Sequence, residues 1–501
     1  VNNVDTSATL DILREALAKA ADPVELAKAA TFVQSVTPTV GLQLYDLEPA
    51  AKNLYPVLTP LRNRIPRVSG KGGSQANWKG VTGIDTGSIF AGVTEGRRGA
   101  LISVATKEYF AAYRTIGSEA SVTFEADLAA GDFDNLRSRA SMSNLQALMI
   151  AEEKIILSGN TTYQLGQTPT PVCVAANTGG ALAASTTFSV ICVALTTLGK
   201  ATATVATGVV GVTTRQTADG FTDTYNGGSA IKSANGTVAT AAGTATNSVA
   251  AAVTPVRGAF AYAWFWGAVG SEVLGAITNV ANYTITGAAT GTQTAASLPA
   301  LDCSTNSLVF DGLLSIASGS TNGGYYYAAA PGAGLTPDNS GGIIEFDTAL
   351  QWFWDNLRLA PSRIILSSQE MTWIRRAILT GNAATPSNAR FTFSMQQGQI
   401  VGGGAPKGYI NTFAAGGAPA EIPFELHPYM PPGNVLFLTE DLPYPMNNVT
   451  NVMQIKARRD YYQIDWPQIT RQYQYGVYSD EVLQHYFPPS MGLITNLSPV
   501  L

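Results

Sequence analysis

Few side chains in this 501-residue chain could do covalent or metal chemistry. The histidines are His427 and His485, each followed closely by proline, in His427-Pro428 and His485-Tyr486-Phe487-Pro488. A metal site needs several nitrogen, sulfur or oxygen ligands converging on one point, and no cysteine or aspartate cluster accompanies either ring. Each is expected to be a structural histidine with satisfied nitrogens. Cys173, Cys192 and Cys303 are odd in number and far apart, so neither a disulfide framework nor a zinc spacing is readable. A free, buried thiol is expected for each, as in a reducing cytosol. The Lys71 stretch lacks the Gly-Lys-Ser/Thr ending of a phosphate loop, and the glycines at 402–404 and 408 do not form a dinucleotide fingerprint. No Gly-x-Ser-x-Gly elbow occurs. Asp347 with Asp355, and Glu440 with Asp441, are carboxylate pairs that capping or solvation explains. No catalytic, cofactor-binding or metal residue is assigned, no cofactor is expected, and the chain is not expected to be an enzyme.

Composition narrows the class. Charged residues make up 13% of the chain, against roughly 25% in ordinary soluble proteins. Hydrophobic residues, at 46%, are too many for a disordered chain of low charge. A surface rich in Gly, Ala and Thr suits a protein that buries itself against neighbours, and equally a β-rich extracellular one. The net charge of −5 argues against a nucleic-acid reader, which presents a basic face. The most apolar stretch, Phe260 to Ile277, is interrupted by Gly267, Gly270 and Glu272, so no membrane span is expected. The opening Val1-Asn2-Asn3-Val4-Asp5 has no basic start and no apolar run, so no secretory leader is expected in it.

Two short helices are predicted in the first 36 residues, from Leu10, Ile12, Leu13, Ala16 and Leu17 and then from Asp22-Pro23-Val24-Glu25. A proline-punctuated extended stretch follows to residue 61. From Arg64 to Gly99, glycine-punctuated alternation around Ala76, Trp78 and Ile84 predicts a long two-stranded excursion, which is marginal alone in water and implies a partner surface. A strand pair, Tyr109–Ile116 and then Ser121–Phe124, is expected within 106–128. The strongest helix signal starts near Asp132 or Asp134 and runs to Leu157, stopping at Ser158-Gly159. Leu136, Ala140, Leu145, Leu148, Met149 and Ile156 form its apolar stripe, and Glu152, Glu153 and Lys154 its wet face. Between 161 and 300 the charged residues are only Lys200, Arg215, Asp219, Asp223, Lys232, Arg257 and Glu272. Short alternating stretches there predict an all-β domain, for which an immunoglobulin-like sandwich is one expectation. Helix Phe346–Ala360, capped by Asp347 and stopped by Pro361, strand Arg363–Ser367 and helix Ser368–Thr380 then describe an α/β layer domain. The last 80 residues return to strands, read as the separate stretches Val435–Leu438, Val452–Lys456, Tyr461–Pro467, Arg471–Tyr478 and Glu481–Leu483.

This order resembles the capsid fold of tailed double-stranded-DNA bacteriophages, the Hong Kong ninety-seven type shared with herpesvirus and encapsulin shells. Two stretches carry the resemblance. One is Leu145-Gln146-Ala147-Leu148-Met149-Ile150-Ala151-Glu152-Glu153-Lys154-Ile155-Ile156-Leu157-Ser158-Gly159-Asn160, similar to the end of the family's spine helix. The other is the ending from Trp466-Pro467 through Tyr478 and Glu481-Val482-Leu483 to Ile494-Thr495-Asn496-Leu497. The resemblance implies an α+β fold with an N-terminal arm at 1–61 and an extended hairpin, the E-loop, at 62–105. A peripheral domain with its spine helix would span 106–160, an inserted β-rich domain 161–307, an axial domain 308–434 and the return strands 435–501. The insert departs from the minimal family pattern; some members carry such insertions on the outer face, where this one is expected.

The function implied is that of a structural major capsid subunit, self-assembling into hexamers and pentamers of an icosahedral shell around phage double-stranded DNA in the host bacterial cytoplasm. Its implied partners are itself, scaffold, portal, decoration or minor capsid proteins, and packaged DNA held without sequence-specific contacts; no membrane is implied. Trp78, Lys79, Glu95, Arg97 and Arg98 are the candidate subunit-interface residues, the last three as inter-subunit ion pairs near the base of the hairpin. An encapsulin-like compartment shell is the alternative that keeps the fold. A secreted β-rich carbohydrate-binding or adhesive protein, with Trp264 and Trp266 as a sugar platform, is the alternative that abandons it.

Overall fold

A computed structural model describes residues 52–84, 92–131, 134–243, 245–338, 341–380, 393–396, 399–402, 406–413, 420–445 and 447–499. The chain divides into two units, Val1–Lys52 and Asn53–Leu501, and every helix and strand among the described residues belongs to the second. The two helices expected before residue 37, and the alternative helix start at Asp132, lie outside the described residues.

Helix α1 (Pro60–Arg64) leads into the short strand β1 (Arg67–Ser69). Strands β2 (Gln75–Ile84) and β3 (Val104–Ala112) pair antiparallel from Gln75↔Ala112 to Ile84↔Val104. Strand β4 (Arg114–Thr123) follows after Tyr113. The strand pair expected within 106–128 does not form. Tyr113 is buried between the two segments, β3 completes the excursion begun by β2, and β4 joins a different sheet. The return arm of the excursion therefore ends at Ala112. Helix α2 (Phe124–Ala129) starts at Thr123, whose hydroxyl accepts from the Ala126 N–H. Helix α3 (Leu136–Ser158) is capped by Asn135, which accepts from the Ser138 N–H at 3.1 Å. It ends at Gly159, where a Cβ would lie 2.2 Å from the Phe310 carbonyl oxygen; no other residue fits so close a crossing.

The segment after α3 carries β5 (Val172–Ala176), β6 (Thr187–Leu195), helix α4 (Thr197–Thr202), β7 (Val212–Gln216), β8 (Thr222–Asn226), β9 (Gly236–Ala239), β10 (Ser248–Ala252), β11 (Ala261–Gly267), β12 (Val273–Thr278) and β13 (Asn282–Ile285). The sheet β13-β10-β5 packs on the sheet β12-β11-β6-β9, and β7 and β8 form a separate hairpin. Alternation explains the sandwich. Val190, Cys192 and Ala194 of β6, with Tyr262, Trp264 and Trp266 of β11, face the three-stranded sheet. Ile191, Val193 and Leu195, with Ala261, Ala263 and Phe265, face a second core beneath α4. A strand buried on both faces reads as a continuous apolar run, as these two do.

Beyond it come α5 (Leu313–Ser318), β14 (Tyr325–Ala328), α6 (Ile344–Leu357), β15 (Arg363–Leu366), α7 (Ser368–Thr380), β16 (Phe393–Gln396), β17 (Gln399–Gly402), β18 (Gly408–Ile410), β19 (Glu421–Leu426), β20 (Val435–Leu438), β21 (Met453–Asp465), β22 (Gln472–His485) and β23 (Gly492–Thr495). Asp347 is not the cap of α6. The helix begins at Ile344, and Asp347 sits in its first turn, accepting from the Tyr409 hydroxyl at 2.8 Å. The stop comes at Arg358, in the left-handed conformation, ahead of Pro361.

Two sheets organise these elements. The first has the order β1-β21-β22-β4, and α3 packs against β4 and β22. The second has the order β14-β23-β20-β15-β19-β18. Leu148, Ile156 and Leu157 of α3 share one core with Leu61, Ile65, Ile455, Val482 and Leu483. Phe346, Phe353, Ile364, Ile374 and Phe437 form another around α6. The fold is a mixed α+β one with several sheets.

Candidate functional site

The β2–β3 hairpin is rooted firmly. Ala76 is buried at its base, and Trp78 stacks on its cross-strand partner Tyr109 with ring centroids 5.9 Å apart. The Trp78 Nε1–H donates to the His485 carbonyl at 3.0 Å, tying the hairpin to β22. The Lys107 ammonium donates to the Thr321 carbonyl at 2.7 Å. Lys79 pairs with Glu108 at 3.7 Å across the strands, both exposed, so the pair is worth about 0–1 kcal/mol. Lys71, the other lysine of this segment, is exposed.

The far end is different. Val81, Ile84, Val93, Ile102 and Val104 are exposed there, and Leu101 is 92% exposed. Glu95, Arg97 and Arg98 lie in the loop between Ile84 and Val104, at the outer end of the hairpin and not near its base. All three are exposed, and none makes an ion pair among the described residues. The structure therefore separates the expected site residues: Trp78 and Lys79 near the root, the charged trio at the tip.

Beneath the root lies a buried charge cluster that sequence reasoning missed. Glu152 and Glu153 are 1% and 0% exposed, so the wet face expected for them is wrong; only Lys154 is exposed. Buried carboxylates need partners, and both have them. Glu153 accepts from the Leu61 N–H (2.9 Å) and the Arg62 N–H (2.7 Å). It thereby caps the N-terminus of α1, where Thr59 makes no side-chain cap and Pro60 has no N–H to offer. It also accepts from His427 Nε2–H at 2.6 Å, while His427 Nδ1 accepts from the Tyr429 N–H. That pattern assigns the ring proton to Nε2 and makes His427 the satisfied histidine expected.

Glu152 is held by Arg62 Nε at 2.9 Å and by short contacts from Arg67 and the Tyr461 hydroxyl. Arg67 also reaches Asp460 and Glu481, each at 2.6 Å. Burial opposes its charge, but hydrogen bonding to Asp460 and the charges of Glu481 and Glu152 raise its pKa above the ordinary arginine value. Burial, then the nearby Glu152 charge, pushes the Glu481 carboxyl up to about 7. The cluster joins α1, β1, α3, β21 and β22. One signal could have found it: a chain sparing with charge places Arg62, Arg64, Arg67, Glu152 and Glu153 beside apolar residues.

The other candidates fall apart chemically. His485 is buried, burial lowers it to about 3, and neither ring nitrogen has a partner among the described residues, against the expectation of a satisfied ring. Glu440 pairs with Arg363 and Arg64 instead of acting with exposed Asp441. Cys192 and Cys303 are buried free thiols, whereas Cys173 is only half-buried. Among the described residues no group of three His, Cys, Asp or Glu side chains could hold a metal, and no helix is long and apolar enough to cross a membrane. Trp264 and Trp266 are buried, and their ring N–H groups donate to Thr278 Oγ1 (2.8 Å) and the Gly287 carbonyl (2.9 Å), so they form no sugar platform.

No family model matches the chain, and no curated protein sequence matches it. Solved structures do. The capsid of a native GTA particle is 10% identical, with a TM-score of 0.42, over 94% of this chain and 98% of that one. The capsid of Myoviridae phage XM1 is 10% identical, with a TM-score of 0.38, over 90% and 95%. The holo-SrpI encapsulin complex from Synechococcus elongatus PCC 7942 is 8% identical, with a TM-score of 0.37, over 91% and 94%. These are distant likenesses, and each is to a protein shell.

Proposed function

We propose that the chain is a structural shell subunit without catalytic activity, the major capsid protein of a tailed-phage-type particle, assembling through hexamers and pentamers around double-stranded DNA. In this reading the β2–β3 hairpin is the E-loop, α3 the spine helix, 161–307 an inserted β domain, and the remainder arm, axial domain and return strands. The particle forms in the host cytoplasm, with scaffold, portal and decoration proteins as further partners. A net charge of −5 suits a container that does not grip its cargo, because each phosphate contact adds salt-dependent affinity.

One observation carries the reading. The outer end of the hairpin presents Val81, Ile84, Val93, Leu101, Ile102 and Val104 to solvent with no cover from its own chain among the described residues. Several exposed apolar side chains gathered at one end of a two-stranded ribbon are costly unless a neighbour covers them. A root pinned by Trp78 and a tip left apolar suit a clasp on an adjacent subunit.

The test is electron microscopy and sedimentation of particles from cells making the chain with its neighbouring genes, beside a Leu101→Asp/Ile102→Asp variant. Closed uniform shells from the unaltered chain, and folded unassembled subunits from the variant, are expected. Subunits that stay monomeric in both would overturn the reading. Shells filled with an enzyme in place of DNA would identify an encapsulin-like compartment.

A further inference from the structure

We propose that a cleft between the β7–β8 hairpin and the β21–β22 turn receives the arginine-bearing hairpin loop, Glu95–Arg98, of a second copy of this chain. The proposal rests on the shell reading above and gives the insert a part in the lattice, where an outer-face decoration was expected.

The cleft encloses about 610 Å³ and is walled by Phe221 and Asp219 of the insert's hairpin, Trp466 and Ile469 of the β21–β22 turn, and Tyr478 and Glu119 on the sheet below. Phe221 and Ile469 are 65% and 89% exposed, so apolar surface stands open there. Tyr478 lies flat across its cross-strand partner Gly117, where a Cβ would come within 2.0 Å of the ring. The ring is thus fixed as a wall, and its hydroxyl donates to Glu119. Asp219 Oδ1 accepts from the Thr217 hydroxyl and the Phe221 N–H, and the carboxylate makes no ion pair among the described residues. No lysine or arginine lines the cleft among the described residues. Aromatic faces beside carboxylates select a guanidinium, which stacks on the ring and forks onto the carboxylate.

The same chain presents the complement. Arg97 and Arg98 are exposed and make no ion pair among the described residues, and Val93, Leu101 and Ile102 flank them with exposed apolar surface. Their own cleft does not hold them, since no described residue of the loop lines it. A surface and its complement at different places on one chain make a head-to-tail contact, which forms a ring where the rotation between copies closes. A second copy therefore satisfies both halves at once.

Arg98→Cys combined with Asp219→Cys in the full chain tests the contact directly. Oxidised shells of the double variant should give a covalent ladder on a denaturing gel, and neither single variant should, because Cys192 and Cys303 are buried and Cys173 half-buried. Asp219→Lys should lower shell yield roughly tenfold or more, the weight of a close interfacial charge pair, and adding Arg97→Glu and Arg98→Glu should restore it. Normal shells with no ladder and unchanged yields would overturn the contact while leaving the shell reading intact. Failure of the unaltered chain to form shells under any condition would instead remove the shell reading, and this contact with it.

Discussion

Replacing Glu481 with glutamine should flatten the dependence of stability on pH between about 4.5 and 7. Glu481 is fully buried on β22. Its Oε2 accepts from Arg67 (2.6 Å) and the Ser479 hydroxyl (2.8 Å), and its Oε1 has no partner among the described residues. Burial and the Glu152 charge raise the carboxyl from 4.5 to about 7. A carboxyl raised by folding keeps its proton in the native state over a range where the unfolded chain has lost it. Its contribution is full below pH 4.5, falls as pH rises through that window and is gone above about 7. The gap corresponds to roughly 3 kcal/mol, with no discount for solvent because the group is buried. Glutamine cannot titrate, yet keeps an amide oxygen for Arg67 and Ser479. Urea unfolding of the unassembled subunit at pH 5 and pH 8 measures the effect, provided both proteins share one m-value. The unaltered chain should lose roughly 2–3 kcal/mol more than Glu481→Gln between those pH values. His485, held at about 3 by burial, works in the opposite sense but is present in both proteins and cancels. Parallel pH profiles for the two proteins would refute the reasoning.

Glu153→Gln keeps the size of the side chain but turns its amide N–H2 toward donors it must accept from, Leu61, Arg62 and His427. A loss of roughly 3 kcal/mol is expected, read as a lower thermal midpoint; an unchanged midpoint would show that the carboxylate does not hold α1. Gly159→Ala sets a Cβ 2.2 Å from the Phe310 carbonyl oxygen and 2.8 Å from that of Ile155, and a shift of backbone costing roughly 2–3 kcal/mol should follow; wild-type stability would mean the crossing is looser than these distances. Burial pushes the Cys192 thiol up and raises Cys173 to about 11. Iodoacetamide at pH 8 should therefore modify native Cys173 slowly and Cys192 only after unfolding, and prompt labelling of native Cys192 would contradict the two-faced burial of β6.

The regular elements were legible where local signals were dense. Helix α7 and strand β20 match the expected bounds, and α3 and β15 match to within a few residues, because their caps and glycine or proline stops sit in sequence beside the apolar run they end. Other features depended on partners far along the chain. Glu152 and Glu153 read as solvated because helical periodicity reports only residue type, and their partners lie some 90 positions away at Arg62 and about 300 away at Tyr461. Strands β21 and β22 read as separate pieces because the polar Arg458-Arg459-Asp460 and Ser479-Asp480 interrupt their apolar pattern; in the structure both strands run on, β21 through register shifts on either side of Arg459. The end of β3 and the start of β4 read as one strand, Tyr109–Ile116, for the opposite reason: alternation continues through Tyr113 although the chain changes sheets there.

The placement of the buried charges follows from the same geometry. Segment 60–69 reaches the main sheet through one short parallel strand, β1, with register Arg67↔Ile455 to Ser69↔Ala457. So short a strand holds poorly by itself, and α1 is shorter than any helix that is stable alone in water. Glu153 supplies the cap that α1 lacks, and Arg67 on β1 is gripped by carboxylates from α3, β21 and β22 together. Breaking one member of such a cluster leaves a buried charge unpaired, so the segment is released whole or held whole. The hairpin springs from the end of that segment and returns into β4 of the same sheet, so its root inherits the stiffness of the cluster. If the tip clasps a neighbour as proposed, stiffness at the root would hold it at a fixed place, since an ordered clasp loses less conformational entropy on binding than a floppy one.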